Sequence, residues 1–170
     1  MRTERLRLRA WRDDDLDALA AMNADPEVMR HILDGSVQDR RQSAESLARM
    51  RRVWAEHGFG LFAVETRSAG VLIGWAGLSV PEFMPEVMPA VEIGWRLSRD
   101  AWGHGYATEA AEAALRFGFE ERGLDRVISI RHVDNVRSAR VMAKLGLVEE
   151  FTTVVPIHNQ PVAVHARRRA

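Results

Sequence analysis

Gly103 and Gly105 flank His104 in the run Trp102-Gly103-His104-Gly105-Tyr106-Ala107-Thr108-Glu109-Ala110. The run follows an alternating, strand-like segment at residues 91–97 and opens an alanine-rich helical pattern. A strand that turns through glycines into a helix leaves several backbone N–H groups without intrahelical partners. They aim at one spot, with the positive end of the helix dipole behind them. Such a spot receives a phosphate or pyrophosphate. Other glycine loops fail on their missing members: no Gly-Lys-Ser/Thr follows, and the dinucleotide fingerprint lacks its third glycine. On spacing alone, a diphosphate ligand and a purely structural strand-to-helix turn both stay open.

Other polar residues are grouped by the periodicity of their elements. In the strand before the turn, Glu92 shares a face with Gly94, Arg96 and Ser98, and Val91, Ile93, Trp95 and Leu97 share the other. A carboxylate there has Arg96 as an available ion-pair partner. Asn135 stands where a helix N-cap belongs, and Ser138 follows within the first turn. The six histidines lack HExxH-type spacing and no cysteine accompanies them, so no metal site is expected. There is no Gly-x-Ser-x-Gly elbow either, so no covalent nucleophile is expected.

Composition sets the frame for these residues. A chain of 170 residues is long enough for a sizeable core, and one domain spanning residues 1–170 is expected. Lys+Arg and Asp+Glu both total 24, which leaves no global positive field for nucleic acid or an anionic membrane. The absence of cysteine removes disulfides, thiolate metal sites and a thiol nucleophile together. No apolar run approaches a membrane span and the first residues lack an apolar signal segment, so a cytoplasmic location is expected.

Along the chain, Leu6, Leu8 and Ala10 alternate with arginines as a half-buried strand. Residues 13–23 and 43–57 read as amphipathic helices, and Asp25-Pro26 as a helix start. Residues 59–66 and 71–80 read as a hairpin, and residues 81–89 as a proline-punctuated apolar loop that packs on its own domain, walls a cleft or meets a second copy. Ala107, Ala110, Ala111, Ala114, Leu115 and Gly118 form a small-residue stripe that lets a helix lie close to a sheet. A strand at 126–132, a helix at 135–145 and a final hairpin of 148–157 with 162–167, turning through residues 158–161, complete the chain. Arg167-Arg168-Arg169 reads as a solvated tail. The fold class is therefore α/β (α+β), with an antiparallel meander leading into a β-α-β unit.

The glycine run resembles the acetyl-coenzyme-A signature of the GNAT superfamily of N-acetyltransferases and, within it, the branch of ribosomal-protein N-terminal (alanine/serine) acetyltransferases. The likeness extends along nearly the whole chain. It includes residues 3–9, Asp25-Pro26-Glu27-Val28, Glu92-Ile93-Gly94-Trp95, Asn135-Val136-Arg137-Ser138-Ala139 and Lys144-Leu145-Gly146-Leu147. Leu147 stands where phenylalanine is commoner, and Trp102 where the wider superfamily has glutamine or arginine. Neither departure touches the chemistry.

The resemblance implies a mixed, mostly antiparallel sheet with splayed central strands and flanking helices. It implies that Gly103, His104, Gly105, Tyr106, Ala107 and Thr108 wrap the pyrophosphate of acetyl-CoA. Trp95, Leu97 and Ser98 would pair with the pantetheine arm, and an N–H near Trp95 would polarise the thioester carbonyl. Glu92 becomes a general base acting through water. Asn135 becomes a coenzyme contact as well as a cap, and Ser138 the group that protonates the leaving thiolate. Arg137 and Arg140 are either contacts to the 3′-phosphate or solvated arginines.

The acceptor is an amine, with a protein N-terminal α-amine expected. A small-molecule amine, a succinyl or other acyl donor, and a catalytically silent coenzyme-A sensor are the alternatives. The acceptor walls are expected around residues 29–33, Trp54 and residues 83–88. Dimers are common among relatives, so a homodimer stays open. Replacing Gly105 by valine is expected to abolish coenzyme A binding in calorimetry while the fold survives; unchanged affinity would contradict the loop assignment.

Overall fold

The computed structural model describes residues 1–169. Strands β1 (Leu6–Arg9), β2 (Leu61–Thr66), β3 (Leu72–Ser79) and β4 (Glu92–Leu97) pair antiparallel in chain order. Strands β5 (Arg126–His132), β6 (Val148–Val155) and β7 (Gln160–Arg168) form a second antiparallel group. The groups join in one seven-stranded sheet of order β1-β2-β3-β4-β5-β7-β6, with β4 and β5 as its parallel pair. This is the mixed, mostly antiparallel sheet expected.

Helices α1 (Leu16–Asn23), α2 (Pro26–Met29) and α3 (Arg40–His57) precede β2. Leu19 and Met22 of α1 and Leu47 of α3 pack with Ala63 and Trp75 on one sheet face. Helices α4 (Tyr106–Arg116) and α5 (Val136–Lys144) cover the other face. There the stripe of Ala110, Ala111 and Ala114 meets Ala76, Leu78 and Ile93, with Met142 of α5 and its C-cap Leu145 beside it. Small side chains on α4 bring its axis close to the strands, which seats its first turn at the end of β4.

Several boundaries differ from the sequence reading for identifiable reasons. Helix α3 starts at Arg40, because Asp39 accepts from the Gln42 N–H while the Gln42 side chain accepts from the Asp39 N–H, a reciprocal cap. The segment expected to be helical from Asp13 begins as a 3-10 turn, Asp13–Asp15, before α1. The last hairpin turns at residues 156–159, and Pro161 lies inside β7 opposite Val154. The arginine tail is not free. Arg167 donates to the Leu145 carbonyl at 2.7 Å, and Arg169 pairs with Asp125 at 2.6 Å.

The loop at 81–89 packs on its own domain: Met84 is fully buried against Val155 and Val162, while Phe83 and Met88 stay exposed. Gly77 on β3 shows how tightly the meander is drawn together. A Cβ there would press into the Gly60 carbonyl oxygen and lie 2.7 Å from the Leu61 Cα. Gly77→Ala is expected to cost at least about 2 kcal/mol in chemical denaturation; an unchanged midpoint would refute that packing.

Candidate functional site

Strands β4 and β5 share a single paired position, Glu92 with Ile128. The Ile128 N–H donates to the Val91 carbonyl at 2.9 Å. One step on, the buried Ser129 hydroxyl donates to the Ile93 carbonyl at 2.8 Å. Beyond that point the strands part. Backbone groups along a strand alternate in direction, so Val91, Ile93, Trp95 and Leu97 turn theirs toward β5, while the Arg96 carbonyl faces Gly74 of β3. The Trp95 N–H and carbonyl thus open into a gap where no strand answers them. The Leu97 carbonyl is taken by the Trp102 indole N–H at 2.9 Å.

The gap widens into a cleft of about 550 Å³. Its walls are residues 95–97 of β4, the glycine turn, the first turns of α4 and α5, and Val28 and His31 of the α2 segment. Gly103 and Gly105 hold φ values of 81° and 80°, a region open to glycine and strained for other residues. Gly105 caps α4 without a side chain, so the N–H groups of Tyr106, Ala107 and Thr108 have no intrahelical acceptor. Open donors at a dipole's positive end fit a diphosphate.

An anchor invisible in the sequence fixes this turn from behind. Arg5 donates from Nη1 to the His104 carbonyl (2.8 Å) and from Nε to Glu109 Oε2 (2.7 Å), with its guanidinium 4.9 Å from the Tyr106 ring centroid. Glu109 also accepts from the Thr3 hydroxyl at 2.6 Å. Burial alone would raise the Glu109 pKa, but the hydrogen bonds from Thr3 and Arg5 hold it below the ordinary carboxylate range. Glu109 therefore faces β1 and leaves the helix start clear for an anion.

The expected site residues fall into two groups, those on the cleft wall and those turned away from it. Trp95, Leu97, Gly103, Gly105, Tyr106, Ala107, Thr108, Asn135 and Ser138 all line the cleft. The side chain of Asn135 accepts from the Ser138 N–H at 3.0 Å, so it caps α5 at the cleft wall. His104 is exposed and stacks on Tyr106 outside the cleft wall. Ser98 is turned to β3, where its N–H donates to the Ile73 carbonyl at 2.8 Å. Arg137 and Arg140 line the cleft, and Arg137 sits 4.3 Å from the Trp102 ring centroid.

Glu92 sits at the point of divergence, behind the residues that line the cleft, and among the described residues it has no cationic partner. Its Oε1 accepts from the Ile130 N–H at 3.3 Å. The Arg96 pairing available in sequence does not form, since four residues of strand separate the two by about 13 Å. Burial pushes the Glu92 pKa up from 4.5 to about 7, opposed only by the Ile130 hydrogen bond.

Of the expected acceptor walls, Arg30, His31 and Ile32 line the cleft, whereas Met29 is fully buried in the core and Leu33 is exposed. Trp54 packs against Phe62 and Phe117, and the 83–88 loop caps the sheet end, so neither is a wall. His31 stacks on His132 with ring centroids 5.2 Å apart and joins the α2 segment to the end of β5. Burial, with the nearby His132 and Arg30 charges, lowers the His31 pKa.

The acetyltransferase (GNAT) domain family matches residues 5–148. Two proteins of Bacillus subtilis, YkkB and the N-acetyltransferase YnaD, are 33% and 30% identical; the matches cover 98% and 93% of this chain and 94% and 89% of theirs. The crystal structure of an acetyltransferase from Agrobacterium tumefaciens superposes with a TM-score of 0.85 at 25% identity, over 99% of this chain and 94% of that one. Two Vibrio cholerae structures, both 20% identical, share the fold. The spermidine N-acetyltransferase with CoA and spermine has a TM-score of 0.78 over 98% of this chain and 96% of its own. The putative ribosomal-protein-serine acetyltransferase has a TM-score of 0.77 over 99% and 96%.

The raised pKa of Glu92 has a signed consequence for stability. The folded protein keeps a proton that the unfolded chain releases between pH 4.5 and about 7, so stability falls as pH rises through that window. Denaturation at stepped pH is expected to show this loss in the wild type and its removal in Glu92→Gln. Parallel pH profiles for the two proteins would contradict the assignment.

Proposed function

The chain belongs to the GNAT family of acetyltransferases, and from that membership we propose that it moves an acetyl group from acetyl-CoA to a protein N-terminal α-amine by direct attack in a ternary complex. The observation that carries the reading is the Trp95 N–H, left without a strand partner where β4 parts from β5 and lining the same cleft as the open amides of the glycine turn. Residues 103–108 hold the diphosphate through backbone N–H groups, and Asn135 supports the coenzyme from the first turn of α5. The Trp95 N–H polarises the thioester carbonyl.

Glu92, whose pKa burial raises to about 7, takes a proton from the incoming amine through a water. As the new carbon–nitrogen bond forms and the carbon–sulfur bond breaks, the Ser138 hydroxyl gives a proton to the departing thiolate and recovers one from solvent. A free thiol has a pKa of about 8.5, so the leaving group is only moderately basic, and loss of Ser138 slows turnover without ending it. Holding both reactants in one cleft supplies much of the acceleration.

The base favours an α-amine. At pH 7 roughly a tenth of an amine with pKa 7.7–8.0 is neutral, against on the order of 0.04% of a lysine side chain. The ribosomal-protein-serine acetyltransferase fold neighbour is in keeping with a protein acceptor.

Thiol release should be followed with acetyl-CoA against peptides with free N-termini, lysine peptides and small amines. The expected result is turnover of N-terminal amines, with a limb near pH 7 that Glu92→Gln removes while lowering kcat about 100-fold or more. Turnover of small amines alone would replace the protein acceptor with a metabolite. Coenzyme binding without thiol release from any acceptor would make the chain a sensor.

A further inference from the structure

The sheet face opposite the glycine turn carries a charge that none of the described residues neutralises. Arg96 directly follows Trp95 and projects to the side of α1–α3, beside Trp75, its cross-strand partner on β3. Its Nη1 donates to Asn23 Oδ1 at 2.8 Å. Its Nε is buried with no acceptor, and among the described residues no carboxylate pairs with it. The charge that acts on it is another cation, Arg49, and burial together with Arg49 lowers its pKa from 12.5 to about 10.

A second orphan lies alongside. The Trp75 indole N–H is also buried without an acceptor, and the Trp75 ring lies 5.2 Å from the Arg96 guanidinium carbon. The same ring overlies Gly94, where a Cβ would meet it at 3.5 Å. Two unsatisfied donors and an unpaired guanidinium are costly to bury, and such groups are normally satisfied. Asn23 cannot relieve the charge. Its own amide N–H groups donate to Gln38 Oε1 (3.1 Å) and the Ser43 hydroxyl (3.2 Å), which orients its oxygen toward Arg96. The protein holds Arg96 in place and leaves its charge unmet.

We propose that Arg96, packed against the Trp75 ring, forms the anion-recognition end of the acceptor site and takes a carboxylate carried by the acceptor amine. The inference rests on the acyl-transfer reading above. Arg96 lines the cleft and is one residue from the N–H that would polarise the thioester. An acceptor entering from the α1–α3 side therefore places its amine at Trp95 and its anionic group at Arg96, only a few bonds apart. Arginine's planar fork suits a carboxylate in particular. The carboxylate is either that of a free amino acid or the side chain of an acidic residue near a peptide N-terminus. A polyamine, which brings only positive charge to a cation, is selected against.

The test compares matched acceptors: methionine with methioninamide, and a peptide beginning Ser-Glu with one beginning Ser-Gln, with spermidine alongside. In the wild type the carboxylated member of at least one pair is expected to have a kcat/KM about 10-fold or more higher, which also tells amino acid from peptide. That ratio should collapse toward one in Arg96→Gln, and in Asn23→Asp, which sets a built-in carboxylate beside the guanidinium. A ratio of one in the wild type, or one that persists in Arg96→Gln, overturns the proposal, as does preferred turnover of spermidine.

If no acceptor releases thiol, the transfer reading fails by itself. Calorimetry on the coenzyme A complex then decides the anion site, with N-acetylmethionine set against N-acetylmethioninamide. Preferential binding of the carboxylate, lost in Arg96→Gln, supports the site; equal binding or none overturns it. Circular dichroism and the thermal midpoint establish that each variant is folded.

Discussion

The divergence of β4 from β5 is the constraint on which everything else depends. A parallel pair normally continues its ladder, yet here pairing stops at Glu92 and Ile128, with the Ser129 hydroxyl closing the last junction. Past this junction, β4 is held firmly by β3 on one side, and on the other the Trp95 N–H and carbonyl are left without a strand partner. Unpaired backbone groups inside a protein are costly. The cleft leaves those of Trp95 open to solvent rather than sealed inside the protein.

The surrounding features are arranged about this gap. The alanine stripe of α4 lets the helix press against β3 and β4, and that fixes where its positive end points. Arg5 and Glu109 rivet the turn from the β1 side, so the anion side is kept free of the protein's own carboxylates. Across the sheet, burial raises the Glu92 pKa, and the nearest cation on its own strand stands too far away to offset it. Arg96 is kept from any anion. These isolated charges lie on the same strand face, flanking Gly94.

Local chemistry made part of this visible in the sequence. Two glycines at a strand-to-helix junction, an aspartate before Pro26 and an asparagine before Val136 each act over a few residues, and each behaves as its type demands. The strand face shared by Glu92 and Arg96 was legible too, but not that they stand apart, because alternation gives the face and says nothing of reach. Arg5 with Glu109 was illegible, since the partners lie 104 residues apart and meet only once β1 is placed beside α4. The acceptor walls were hard to read for the same reason. Trp54 has an aromatic's size but finds Phe62 and Phe117, whereas His31 and His132 meet across the sheet end.

Backbone amide resonances recorded during titration with acetyl-CoA test the central claim most directly, because they report on the unpaired N–H groups themselves. The largest shifts are expected at residues 103–108 and at Trp95, with smaller ones along α5 and almost none on β6. If Trp95 stays unmoved while the coenzyme binds, or the shifts gather on the β6–β7 hairpin, the gap between β4 and β5 is not where the substrate lies.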